Sequence, residues 1–431
     1  MAKLAAPLAL SQMGMMLMGV VDTAVVSRFD PVHAAGTTLA NSIVFALLVF
    51  GMGLAIALEP LIAQAHGAGE PGRAWGWWRT GVRVSLLVAL PIAALALVLC
   101  ALASEIGIEP EIRDRALEHL ACRTPANLVF LVWTSARSYL QSHQLTRPLV
   151  IGAAVANVAN LVMDLLLVDG VVQWGAAGAG VATSVSTVAL VVVLVRAVES
   201  GRPQVPIVRG DPTLLLKLGI PLGLQLAAEF IVFSTCGVLA TRLGAVEGNA
   251  HQIALHCTTL SFMAAVGVSG ATAARVGEAV GMQHRDLQRV RARAGFLLTM
   301  ALMVGSALIF GLFAEPIVAL FDPKAPAVRT VAIDLLGIAA FFQLFDGTQV
   351  LVSGALRGVG DVRFPFVLTT IAYWGVGFPV AIALCFGAGL GLQGLWYGLT
   401  AGLAAAAIGL GARYLLVERR GVGRLESHPT P

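Results

Sequence analysis

The chain has 431 residues, of which 58% are hydrophobic and only 12% charged, with a mean hydropathy of +0.85. Soluble domains carry about a quarter of their residues charged, so a soluble two- or three-domain protein is excluded and most of the surface is expected to meet lipid. The net charge of +4 reads as a basic fringe on cytoplasmic loops, not as a nucleic-acid footprint.

A bilayer core about 30 Å thick takes roughly 20 apolar residues as a helix. Twelve segments qualify: 4–27, 36–66, 80–103, 116–141, 149–170, 176–199, 213–242, 249–276, 294–314, 327–356, 365–387 and 392–417. They are continuously apolar and do not alternate, which rules out membrane strands. The first carries Asp22 with no small-residue cleavage site after it, so it is predicted to stay as a helix and not to be removed as a signal peptide. Trp75, Trp77 and Trp78, just before the third segment, read as an interfacial belt. The five cysteines form no C-x-x-C pair and no histidine cluster has ligand spacing, so neither a disulfide framework nor a zinc site is expected.

Charge sets the orientation. The N-terminus, the connections after every even-numbered segment and the C-terminal tail hold 21 of the Lys and Arg residues. The opposite side holds six (Arg28, Arg113, Arg115, Arg242, Lys324 and Arg329), and Arg123 lies within the fourth segment. Both termini are therefore expected in the cytoplasm, with the chain in the plasma (inner) membrane. The stretch from Glu199 to Pro212, rich in proline, glycine and mixed charge, reads as a linker between halves. Leu4-Ala5-Ala6-Pro7 resembles Leu218-Gly219-Ile220-Pro221 at an offset of 214, Pro148 falls on Pro365 at 217, and Gly175-x-x-Gly178 falls on Gly391-x-x-Gly394 at 216. The predicted fold is thus an all-α polytopic membrane protein of twelve transmembrane helices in two pseudo-symmetric six-helix bundles, residues 1–204 and 205–431. A six-helix repeat starts and ends on the same side, so the copies run parallel and can rock about a central site.

Acids inside a bilayer cost about 2.5–3.5 kcal/mol each at a helix centre on insertion scales, which makes them candidates for function. Asp22, Asp164, Glu229 and Asp346 qualify. Asn157, Asn160 and Asp164, at i, i+3 and i+7, share a helix face; such a stripe either holds a proton or hard monovalent cation or makes interhelical hydrogen bonds. Gln225 shares a face with Glu229, and Gln343, Asp346 and Gln349 share another. If those helices line one cavity, two carboxylates meet there among amides; otherwise they are buried acids held by hydrogen bonds. Glu59 beside Pro60 either reaches the interface, pairs with arginine or serves the site. His251 and His256 read as packed hydrogen bonders more readily than as proton shuttles. Tyr373 and Trp374 offer either a cation–π face or packing. Pro7 and Pro221, early in their helices, either occupy ordinary first-turn positions or permit a bend.

Several stretches together resemble the MATE (multidrug and toxic compound extrusion) family, NorM-like branch, over essentially the whole chain. They are Leu4-Ala-Ala-Pro7 with Val20-Val-Asp-Thr23, Ala63-Gln-Ala-His-Gly-Ala-Gly69, Asn157 to Asp164, Gly178 to Ser184, Leu218-Gly-Ile-Pro221 with Glu229, Ala250-His-Gln-Ile253, Gly354-Ala-Leu-Arg-Gly358, and Tyr373-Trp374 with Gly377-Phe-Pro379. The resemblance implies two six-helix lobes around a central cleft and antiport of organic cations or drugs against Na+ or H+. It also implies that Glu229 and Asp346 form the second-lobe cation site, that Asp22, Asn160, Asp164 and Thr183 form the first-lobe cluster, and that Pro7 is a bending proline. Ser142-His143 departs from the family's usual glycine in that loop.

The mechanism expected is competition: drug cation and coupling ion bind the same acids in turn. The protein is then a secondary active transporter and not an enzyme, a monomer in the lipid bilayer with organic cations as partners, no nucleic acid, no cofactor, and no metal beyond a monovalent sodium ion. The alternative within the wider superfamily is a flippase of lipid-linked sugars or cell-wall precursors, which calls for a basic cavity. An intramembrane hydrolase would need a G-x-S-x-G, H-E-x-x-H or Ser–Lys arrangement in a helix, and none stands in the sequence. A channel would show no counterflow.

Overall fold

A computed structural model describes residues 1–321, 325–421 and 423–425; Lys324, counted above on the outer side, lies outside them. Among the described residues there is no strand. The spans are α1 (Ala2–Phe29), α2 (Pro31–Ile56) continued by α3 (Leu58–Gly67), α4 (Pro71–Ala101), α5 (Pro110–Ser142), α6 (Arg147–Leu167), α7 (Ala176–Ser200), α8 (Pro212–Leu243), α9 (Ala245–Gly281) and α10 (Arg285–Leu312). After the short α11 (Ala314–Ala319) come α12 (Pro326–Val359), a composite eleventh span, and α15 (Gly391–Arg420). The composite span contains α13 (Arg363–Thr370), a π-helical stretch Ile371–Gly377, α14 (Phe378–Ile382) and a second π stretch Ala383–Gly387.

Eleven of these spans are long and apolar enough to cross a membrane. The twelfth, α5, is more polar: it begins with Glu111, Arg113, Asp114, Arg115 and Glu118, and its apolar part carries His119, Arg123, Asn127 and Arg137. Its 33 residues still give about 50 Å of helix at 1.5 Å per residue, and it packs against α2, α4 and α7.

Local chemistry sets the ends. Pro31, Pro71, Pro110, Pro212 and Pro326 each open a helix, where the missing N–H has no intrahelical partner to lose. Asp30 alone separates α1 from α2. Its Oδ1 accepts from the N–H groups of Val32 and His33 at 2.7 and 3.1 Å. The His33 N–H is the main reason its carboxyl lies below the ordinary range.

The chain divides into two compact units, Leu10–Gly223 and Met1–Ala9 with Leu224–Pro431. In the first, Val44, Leu48, Leu120 and Leu131 sit in the apolar core. In the second, Leu335, Leu336, Phe342, Tyr373 and Trp396 do so. Small residues let backbones touch, as they do in membrane packing generally. A Cβ on Gly53 of α2 would lie 2.1 Å from the Gly223 nitrogen, and one on Gly398 of α15 would lie 2.3 Å from Ala381.

The expected tryptophan belt is not one. Trp75, Trp77 and Trp78 are all buried in protein. Tyr139 meets Trp75 and Trp78 at ring separations of 5.8 and 6.1 Å, and the connection before α8 covers Trp77 through Gly210. That connection is strapped to α4: the Val208 N–H donates to the Gly72 carbonyl at 3.3 Å and Thr80 Oγ1 donates to the Gly210 carbonyl at 3.2 Å. Gly76 makes room for it, since a Cβ there would sit 1.6 Å from the Val208 oxygen.

Candidate functional site

The first unit gathers polar side chains from three helices. The apolar residues of α6 leave one polar stripe, Asn157, Asn160 and Asp164, and the last two are buried. Asp22 of α1 is buried as well, and its carboxyl lies within electrostatic range of that of Asp164. Thr183 of α7 donates its hydroxyl either to Asp22 Oδ2 at 3.1 Å or to its own helix at Ala179, 2.9 Å. Five atoms in this cluster are buried with no hydrogen-bond partner: Asp22 Oδ1, both amide atoms of Asn160 and both oxygens of Asp164. Unpaired buried polar groups are costly, so the cluster suits a small cation or proton that the oxygens would surround. Asn157 is half-buried and bonds to its own helix at the Ala153 carbonyl, 2.8 Å; it is not joined to the acids.

A second polar stripe runs beside it on α5. His119, Arg123 and Asn127 follow one another at intervals of four and share a face. Arg123 donates through its NH1 to Asn41 Oδ1 of α2, while its Nε and the amide nitrogen of Asn127 have no partner. His119 lies between two oxygens, with Nδ1 2.9 Å from the Ala176 carbonyl and Nε2 3.2 Å from Asn41 Oδ1. In the sequence Arg123 stands out only as a charge inside a helix, and Asn41, His119 and Asn127 do not stand out. The four-residue spacing and the rarity of arginine in membrane helices were the available signals.

In the second unit, α8 supplies Gln225 and the half-buried Glu229, and α12 supplies Gln343, Asp346, Gln349 and Ser353. Tyr373, in the wide π turn, donates its hydroxyl to Glu229 Oε1 at 3.3 Å. The neighbouring Trp374 donates its indole N–H to the Ala228 carbonyl at 3.2 Å, which ties the composite span to α8. Asp346 lies within electrostatic range of Glu229. Gln225 donates to Ser353 Oγ at 3.3 Å and Gln343 accepts from Ser261 at 2.9 Å. Even so, Gln225 Oε1, Gln343 Nε2 and Gln349 Oε1 stay buried and unpartnered.

The remaining candidates are placed elsewhere. Glu59 is buried in α3, and Ser142 Oγ donates to its backbone carbonyl at 3.2 Å. His251 is buried and accepts from the Trp396 indole N–H at 3.2 Å. Pro7 lies inside α1, which is helical on both sides of it.

Twelve spans in two related bundles, each with acids held inside the membrane part of its helices, define a polytopic membrane transporter. The comparisons with known proteins narrow this. The MatE family model matches residues 7–166 and again 221–383, two copies that begin at Pro7 and Pro221, so the sequence repeat and the family repeat coincide. The chain is 33% identical to the multidrug resistance protein NorM of Burkholderia vietnamiensis, over 96% of this chain and 93% of the relative. It is 32% identical to the probable multidrug resistance protein NorM of Bradyrhizobium diazoefficiens, over 98% and 94%. Its fold matches the crystal structure of the eukaryotic MATE transporter AtDTX14 with a TM-score of 0.88 at 22% identity, covering 96% of this chain and 94% of that one. It matches the crystal structure of a MATE protein in the straight conformation at 0.88 and 19%, covering 97% and 96%. The chain belongs to the MatE family, and is a multi-pass membrane transporter, not an enzyme.

Proposed function

We propose that this protein exports organic cations or drugs in exchange for Na+ or H+, with the acids of the two bundles as its cation sites. The observation that carries the reading is the set of five buried, unpartnered polar atoms on Asp22, Asn160 and Asp164. Four of those five atoms are acceptor oxygens of carboxylates and an amide, a set that a guest cation can bridge. Glu229, Asp346 and the amides of Gln225, Gln343 and Gln349 form the second site, with Tyr373 as an aromatic face for the drug. Thr183 orients Asp22, and Pro7 serves as the point where α1 bends.

In the working cycle each acid holds either a drug cation or a coupling ion. One-for-one exchange of monovalent cations moves no net charge, so a tenfold ion gradient contributes about 1.4 kcal/mol, or about tenfold drug accumulation. The names of the NorM relatives support the multidrug reading, and the arginine-rich connections support cytoplasmic termini in the plasma membrane. The protein is proposed to act as a monomer, its lobes being residues 1–204 and 205–431.

The test is efflux of a fluorescent organic cation from proteoliposomes, driven in turn by a sodium gradient and by a pH gradient. Glu229→Gln and Asp346→Asn are expected to abolish coupled efflux without reducing membrane insertion, as is Asp22→Asn if the first cluster is the operative site. Full coupled efflux in all three variants would refute the placement.

A further inference from the structure

We propose that Arg123 is a fixed internal counter-charge of the first acid cluster, a positioning residue that, with Asn41 and His119, limits that cluster to one guest cation at a time. The proposal rests on the reading of Asp22 and Asp164 as a cation site and adds what sets its charge.

The geometry joins the arginine to the cluster through α7. A Cβ on Gly180 of α7 would lie 2.4 Å from the His119 carbonyl and 3.3 Å from the Arg123 nitrogen. Ser184 Oγ donates to the Cys122 carbonyl at 2.7 Å. One turn of α7 thus lies against the His119–Arg123 turn, and the same turn carries Thr183, whose hydroxyl reaches Asp22. Arg123 lies within electrostatic range of Asp22. No salt bridge closes the gap among the described residues, so the acid keeps its free Oδ1.

The guanidinium is held back and not released. It can only donate, so the Asn41 atom facing it is the amide oxygen, and the same oxygen lies 3.2 Å from His119 Nε2. His119 in turn is pinned to the Ala176 carbonyl at the start of α7. Arginine stays protonated under all ordinary conditions. Two acids and one permanent cation therefore leave a net charge of minus one, which a single sodium ion or proton neutralises. The second bundle lacks this device. Pro110 and Pro326 open α5 and α12 at an offset of 216, and at that offset Leu335 and Ala339 stand where His119 and Arg123 do.

Removing the fixed charge makes the site more negative, so it should hold its ion more tightly. In proteoliposomes, Arg123→Gln is expected to lower the concentration of driving ion (sodium in one arm, protons in the other) for half-maximal efflux by about tenfold and to slow maximal efflux. Arg123→Lys should keep it within about twofold. In an Asp22→Asn background, where coupled efflux is expected to be lost, ion dependence is read instead from stabilisation of the purified protein by sodium and by protons, and Arg123→Gln should add no further shift. An unchanged ion dependence in Arg123→Gln, or an equal shift with and without Asp22, overturns the proposal. Should that variant not insert, Asn41→Ala, which frees the guanidinium, takes its place: an altered ion dependence that needs Asp22 supports the proposal, and an unaltered one overturns it. If Asp22→Asn itself leaves ion dependence untouched, the cation-site reading of the first cluster fails, and not only the role of the arginine.

Discussion

Tyr373 donates its hydroxyl to Glu229 across 3.3 Å, and it does so from a stretch wound as a π helix, Ile371–Gly377. Wide turns of this kind often mark functional sites in membrane and soluble helices alike. The bond matters because it gives a donor to a carboxylate placed where water is scarce. A hydrogen bond to a charged group is worth about 1.5–3 kcal/mol. Without that donor the carboxylate takes a cation more readily, so Tyr373→Phe is expected to lower the half-saturating concentration of the coupling ion by about 10- to 100-fold, with insertion unchanged. Transport assays on the purified variant check this.

Thr183 offers a smaller effect. Its single proton is divided between Asp22 and the Ala179 carbonyl, so Thr183→Ala removes about 1 kcal/mol from the Asp22 site. A change of about fivefold in apparent ion affinity is expected, and Thr183→Ser should restore it.

The connection before α8 is held by backbone contacts at Gly72 and Gly76. A methyl group on Gly76 meets the Val208 carbonyl, which cannot swing aside as a side chain can. Gly76→Ala should destabilise the strap by about 1–3 kcal/mol and expose residues 202–210 to protease. Limited proteolysis before and after the substitution measures it.

His143 carries a pH prediction. It stacks on Tyr139 at 4.2 Å and lies 4.5 Å from His66, and burial lowers its pKa to about 4. A group with a depressed folded value favours its neutral form in the native state. Its contribution is fully present above the unfolded value of about 6.5 and is lost as pH falls from there towards 4. Thermal unfolding in detergent should show that loss in the wild type and less of it in His143→Gln; equal pH slopes would count against it.

The membrane spans and the repeat were legible because both rest on apolar length and on proline and glycine spacing. The α6 stripe was legible too, since Asn160 and Asp164 lie on one face of one helix. What the sequence concealed is contact between distant segments. Asn41 and Arg123 are separated by 82 positions, and no spacing rule links residues on different helices. The burial of Trp75, Trp77 and Trp78 was hidden for the same reason: a tryptophan cluster at a helix start has the same composition whether lipid head groups or a protein strap cover it. The polar residues inside α5, His119, Arg123 and Asn127 among them, lower its hydrophobicity without changing its path. The π turns left no mark in composition, because they alter hydrogen-bond register and not residue type.

Those turns also bear on how the eleventh span tolerates change in length. Each π turn accommodates about one residue more than an α turn, so the helix carries slack that its neighbours lack. Losing a single residue within 371–377 would close the turn to an α turn and keep the rest of the span in register, while carrying the indole off the Ala228 carbonyl or the phenol off the Glu229 carboxylate. Length variation in this helix would therefore retune the guest that is accepted before it broke the fold.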